Sequence, residues 1–153
     1  MKKTISLLGA TLFLALTLSF NAKASDINGD VNSQVKNSFT RYFTAASHVN
    51  WYNEKGNNYM ARFYLGDTKM TAYFGKKGHL LLTSRAIEGN QLPLKILQHI
   101  REKYAGNTIR YVTELAADNA TNYVITLESA THWTQLKTDV NGDLIVMQKL
   151  KKA

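Results

Sequence analysis

"YMARFYLGDTKMTAYF", residues 59–74, decides the architecture. Tyr59, Ala61, Phe63 and Leu65 alternate with Met60, Arg62 and Tyr64. In the following run Met70, Ala72 and Phe74 alternate with Lys69, Thr71 and Tyr73. Successive side chains of a strand point to opposite faces, so each run has one apolar face and one mixed face. That is the pattern of an antiparallel sheet covered on one side. Leu80 and Leu82 extend the apolar set, which leaves His79, Leu81 and Arg85 on the mixed side.

The same spelling returns later. Tyr123, Ile125 and Leu127, then Leu136, then Leu144 and Val146 repeat the apolar positions. Laying the halves together sets Phe43 on Tyr104, Val49 and Trp51 on Ile109 and Tyr111, Tyr59 on Tyr123 and Gly78 on Gly142. Each half opens with a helical pattern. Val31, Val35, Phe39, Tyr42 and Phe43 recur at near-helical spacing with Asp30 as the N-cap. Ile96, Leu97, Ile100 and Tyr104 do the same, with Pro93 in the first turn and Gly106 at the end. Pro93 is the single proline, and "EGNQLP" forms the joint. The expected fold is therefore α+β: two tandem helix-plus-antiparallel-strands repeats, residues 25–90 and 91–153, with both helices on one face of the sheet. Neither repeat, at about 60 residues, buries enough surface to stand alone, so a single cooperative domain is expected. One continuous sheet and two abutting sheets both satisfy the pattern.

The chain opens "MKKTISLLGATLFLALTLSFNAKAS". Lys2 and Lys3 precede an apolar stretch through Phe20, and Ala22-Lys23-Ala24 is an A-x-A cleavage site. The stretch is short for a membrane span and contains Thr, Ser and Gly. Residues 1–24 thus read as a signal peptide, with Ser25 as the first mature residue and no stable membrane insertion afterwards. The expected location is the periplasm or the exterior of a bacterium. There is no cysteine, so neither disulfides nor thiol chemistry is available. The net charge of +8 includes Lys2, Lys3 and Lys23, which leave with the leader. The remaining cations are scattered, without the basic aromatic motif of a nucleic-acid binder.

"DVNGD", residues 139–143, and "DINGD", residues 26–30, place oxygen ligands at alternate positions, as a calcium loop does. Such a loop needs Gly at its sixth position and Glu at its twelfth. Those positions are Leu144 and Leu150 in one case and Val31 and Asn37 in the other, so neither is a calcium loop. Asn141-Gly142 instead reads as a two-residue hairpin turn in which both residues take positive φ.

In order along the chain stand a helix, Trp51, Tyr59-x-Ala61-x-Phe63, Ala72-Tyr73-Phe74 with Gly78, and Leu92-Pro93. A second helix follows, then Tyr123-Val124 with Leu127, and Asp139 with Gly142. This order resembles the PepSY-like family of exported bacterial proteins, which is described as similar to the β-lactamase inhibitor protein. The resemblance spans nearly the whole mature chain. It implies a fold and a compartment; it brings no catalytic motif and no cofactor.

No catalytic or metal-ligating residue is assigned. His48, His79, His99 and His132 lack H-x-H or H-E-x-x-H spacing. Neither Ser84 nor Ser129 has a nucleophile-elbow neighbourhood, and Glu54, Glu88, Glu102, Glu114 and Glu128 form no evident pair. "GKKGH" lacks the G-K-[ST] ending of a phosphate loop. The mixed sheet face is more informative, because Tyr, Trp, Met and Arg are enriched at protein interfaces. Arg62, Tyr64, Tyr73 and Trp133 are the expected binding residues on that face, and Trp51 is expected in the core. The expected activity is non-catalytic binding of a protein or peptide, an exported enzyme among the candidates. A small-ligand carrier and a hydrolase with an unrecognised carboxylate pair are the alternatives.

Overall fold

The computed structural model describes residues 30–153. The expected leader and the Asp26–Gly29 part of the first D-x-N-G-D lie outside the described residues. The elements run α1 (Ser33–Tyr42), β1 (Ala46–Glu54), β2 (Asn58–Leu65), β3 (Thr68–Phe74), β4 (Leu80–Ile87), α2 (Leu94–Lys103), β5 (Thr108–Ala117), β6 (Ala120–Glu128), β7 (His132–Asp139) and β8 (Ile145–Lys151). A short 3-10 turn, Gly89–Gln91, precedes α2.

The eight strands form one antiparallel sheet whose order equals chain order. This overturns the expected two tandem helix-plus-strand repeats. β4 and β5 pair directly from Thr83↔Ala116 to Ile87↔Val112, like any other neighbours. The physical reason is edge satisfaction: two separate units would each leave the backbone donors of an extra edge strand open. The molecule is mainly sheet, and helix is a minor component of it.

Directly paired residues share a face, so the register sorts the side chains. Trp51, Ala61 and Ala72 lie across from one another and meet Val35 and Phe39 of α1 in one apolar cluster. Phe39 fills its middle, with its ring centroid 4.9 Å from Phe63, 5.2 Å from Trp51 and 5.2 Å from Phe43. A second, mostly aliphatic cluster joins Ile96 and Ile100 of α2 to Val112, Ile125, Leu127 and Leu136. Between the clusters, on the same side of the sheet, Arg85 Nε donates to Glu114 Oε1 at 2.7 Å.

The helix ends and turns differ in detail from expectation. The α1 N-cap is Asn32 rather than Asp30: its side chain accepts from Gln34 N at 2.7 Å, and its Nδ2 donates to Lys76 O at 3.1 Å. This second bond fastens the helix start to the β3–β4 turn. Asn141-Gly142 does not form the two-residue turn. Gly142 N donates to Asp139 O at 3.2 Å, and among these turn residues only Gly142 has positive φ. Asp139 organises the turn by accepting from Asn141 N and Nδ2 at 2.9 and 3.0 Å. An Asx turn is the favoured local use of such a side chain. Gly142 also lies against α2, where His99 Nδ1 donates to Gly142 O at 2.6 Å and a Cβ on Gly142 would come within 2.9 Å of that nitrogen.

Three bulges rearrange the expected faces. Tyr73 pairs with Leu82 and Phe74 with Leu80, so Leu81 is an extra residue. Leu82 is therefore on the side away from the helices, and Arg85 is on the helix side, both the reverse of the alternation reading. In β5, Ile109 pairs with Leu127 and Tyr111 with Thr126, which makes Arg110 the extra residue. Val112, not Tyr111, is thus the counterpart of Trp51. In β8, Gln148 pairs with Gln135 and Val146 with Leu136, so Met147 is extra and Lys149 turns to the helix side. A bulge flips every later side chain of its strand.

Candidate binding face

The side of the sheet away from the two helices is assembled from the register upward. Met60, Tyr73 and Leu82 lie side by side on β2, β3 and β4. Ser84 then faces Leu115 on β5. Met60, Leu82 and Leu115 are buried although neither apolar cluster includes them. They form a separate apolar floor on the second face. The same side carries polar and aromatic side chains: Tyr52 and Asn50 on β1, Arg62 and Tyr64 on β2, Lys69 on β3, and Tyr111 on β5. Gln135 and Trp133 on β7 and Ile145 and Leu150 on β8 complete that side.

Arg62, Tyr64 and Tyr73 fall together at the β1–β3 end. The Arg62 guanidinium carbon stands 5.0 Å from the Tyr52 ring centroid, so the cation is already stacked on an aromatic face. Tyr64 is 39% exposed and meets the His48 ring edge-on at 5.9 Å. His48 itself holds positive φ at the irregularity between Ser47 and Asn50. Tyr73 is half-buried beside the apolar floor. Burial pushes its hydroxyl above the usual tyrosine range, the Glu54 carboxylate adds to that, and Arg62 opposes both.

Trp133 shares the face but not the cluster. It belongs to β7, four strand spacings from β3, roughly 19 Å across the sheet. Its neighbours are Glu128 and Leu150 across the strands, and Lys152 Nζ lies 5.1 Å from its ring centroid. Glu128 accepts hydrogen bonds from both Lys152 and Arg110. These bonds, that of Lys152 foremost, hold its carboxyl below the usual carboxylate range. Trp133 is therefore half-buried under its own cation.

Tyr111, Met60, Leu82 and Leu115 belong to this face and were not among the expected binding residues. Tyr111 is 70% exposed and sits in the open on β5. Its repeat alignment with Trp51 concealed it, because nothing in "NTIRY" marks Arg110 as a bulge. Leu115 did carry a signal: Val112 and Leu115 are three apart in one strand, so they face opposite sides.

The face offers stacking, cation–π contact and apolar area, a chemistry of association. Glu114 and Glu128 lie on opposite sides of the sheet, each bonded to cations. Among the described residues no group of three or more His, Asp and Glu comes together to hold a metal ion. No helix among them is long and apolar enough to cross a membrane.

No family profile and no curated protein matches the chain. Solved structures do. A DUF2874 family protein from Bacteroides ovatus is similar with a TM-score of 0.66 at 18% identity, covering 78% of this chain and 86% of that one. A BLIP-like protein from Bacteroides fragilis gives 0.65 at 20% identity, covering 78% and 85%. A provisionally periplasmic protein from Bacteroides eggerthii gives 0.69 at 12% identity, covering 80% and 90%. None of these three carries the PepSY name, so that resemblance rests on motif order alone. At such identities the likeness is one of fold, and the fold of this chain is BLIP-like.

Proposed function

We propose that the chain is an exported, non-catalytic binding module of the PepSY-like type that docks a protein or peptide on the helix-free side of its sheet. The observation that carries this reading is the second apolar floor, Met60, Leu82 and Leu115, on the same face as Arg62, Tyr64, Tyr73 and Tyr111. A face meant only for solvent has no reason to bury a floor of its own, and aromatic residues with Arg are what protein interfaces concentrate. The BLIP-like and provisionally periplasmic neighbours support binding and export as the role and the place. An exported enzyme, inhibited by occlusion, is the partner this reading favours. Export itself rests on the leader-like residues 1–24.

The test compares three immobilised forms of the chain from Ser25: wild type, Arg62→Glu/Tyr64→Ala, and Lys36→Glu on the exposed side of α1. Each is exposed to a periplasmic extract of the native host. A partner retained by wild type and Lys36→Glu but lost by the double variant supports the open face. Equal retention by all three, with equal melting temperatures, refutes it. Purified β-lactamase, assayed with and without the chain, decides whether that enzyme class is a target.

A further inference from the structure

The two edges of the sheet are unequal. β1 carries one irregularity, between Ser47 and Asn50 with positive φ at His48, is regular from Asn50 to Glu54, and exposes no large apolar side chain. Among the described residues β8 pairs only with β7, and beyond the Met147 bulge its run Gln148–Lys151 is regular against His132–Gln135. Ile145, Val146 and Leu150 of this edge are 60%, 52% and 51% exposed. Exposed apolar residues on both sides of an edge strand favour pairing, and the lysines of the same strand, which blunt an edge against ordinary strands, restrict it to an occupant of opposite charge.

Charge selects the occupant. Lys149 lies across from Thr134 and Lys151 across from His132, so both side chains are on the helix side of β8. Leu150 lies on the other side, across from Trp133. Lys152 is engaged by Glu128, whereas Lys149 and Lys151 are exposed and take part in none of the ion pairs among the described residues. A second copy pairing β8 with β8 would gather four lysines on one face of two adjacent strands, and like charges across strands repel. An acidic strand meets the same lysines favourably. We propose that β8 is a β-augmentation site for an extended segment of another protein in which acidic and apolar residues alternate. Its acidic residues lie beside Lys149 and Lys151, and its apolar residues lie beside Leu150. Main-chain hydrogen bonds to the free edge supply affinity, and the alternation supplies selectivity. This site is separate from the open face around Arg62 and Tyr64.

The probe is a capped octapeptide of alternating Glu and Val, with a Lys–Val peptide as the counterpart. The Glu–Val peptide is expected to slow amide exchange within Gln148–Lys151, to leave β1 exchange unchanged, and to bind more weakly as salt rises. Lys149→Glu/Lys151→Glu, two exposed substitutions, is expected to weaken it by about tenfold or more and to reverse the preference toward the Lys–Val peptide. Arg62→Glu leaves peptide binding unchanged, which separates a failure here from a failure of the open-face reading. Protection outside β8, equal binding of both peptides by wild type, or sedimentation as a dimer joined through β8 would each overturn the proposal.

Discussion

Phe39→Ala is the most informative single change, because the Phe39 ring of α1 meets Trp51, Phe63 and Phe74 on three strands. It is buried, and its ring meets Phe63 nearly at right angles, 89°, and Trp51 at 68°. Truncating a buried Phe removes its apolar contacts and leaves a cavity, at about 3–5 kcal/mol. Rigid aromatic walls from Trp51, Phe63 and Phe74 cannot collapse into that space, which places the cost near the upper end. For a domain of this size about 4 kcal/mol lowers the melting temperature by roughly 15 °C. Phe39→Leu keeps most of the volume and loses the edge-to-face pairs, so it should cost about 1–2 kcal/mol. The assay is thermal unfolding followed by far-UV circular dichroism and by tryptophan fluorescence in a Trp133→Phe background, where Trp51 alone reports. Both signals should move together, because the sheet is continuous through β4 and β5. A fall below about 4 °C would show that Phe39 is not the anchor. A residual transition at the wild-type temperature would show that the aliphatic cluster melts separately, against the single cooperative domain proposed here.

Gly142→Ala should lower the melting temperature more than Gly66→Ala: both have positive φ, but only at Gly142 would the new Cβ meet His99, while Gly66 has open space. Equal losses would leave backbone strain alone as the cause. Glu128 is held low by Lys152 and then Arg110, so its contribution is present above the unfolded value near ~4.3 and is lost as pH falls through the lower folded value. The urea midpoints of wild type and Glu128→Gln should therefore differ most near neutral pH and converge as pH falls through the lowered folded value; a constant gap contradicts this. Acrylamide should quench the indole left in Trp51→Phe more than the one left in Trp133→Phe, since Trp51 is 6% exposed and Trp133 is half-buried. The opposite order would invert the register of β7.

Alternation made the helix side of β2 and β3 legible: Phe63, Ala72, Phe74 and also Leu136 reach the clusters the pattern assigns them to. It failed where one extra residue enters a strand. Leu80 and Leu82 look like one face in the sequence, yet Leu81 separates them, and its side chain gives no sign of the bulge. The division into two repeats failed for a different reason. Pairing of β4 with β5 is made by backbone groups that every residue owns, so the sequence holds no mark of it, while the duplicated spelling suggests separate units. On the candidate face, Arg62, Tyr64 and Tyr73 were readable from strand parity. Trp133 was too, but its distance from them was not, because strand order is invisible to a local pattern. The floor of Met60, Leu82 and Leu115 depended on a bulge and an odd spacing, and emerged only from the assembled sheet.

Because strand order equals chain order, almost every strand finds its partner immediately before it, across a turn of a few residues. Short closures lose little chain entropy and form quickly. Only β5 must search farther, from Val112 back to Ile87 across α2, before the sheet can continue. Low contact order of this kind places an all-neighbour meander among the faster-folding sheet proteins. The β4–β5 junction, braced by Arg85 and Glu114, is then where the folding nucleus of one half must wait for the other.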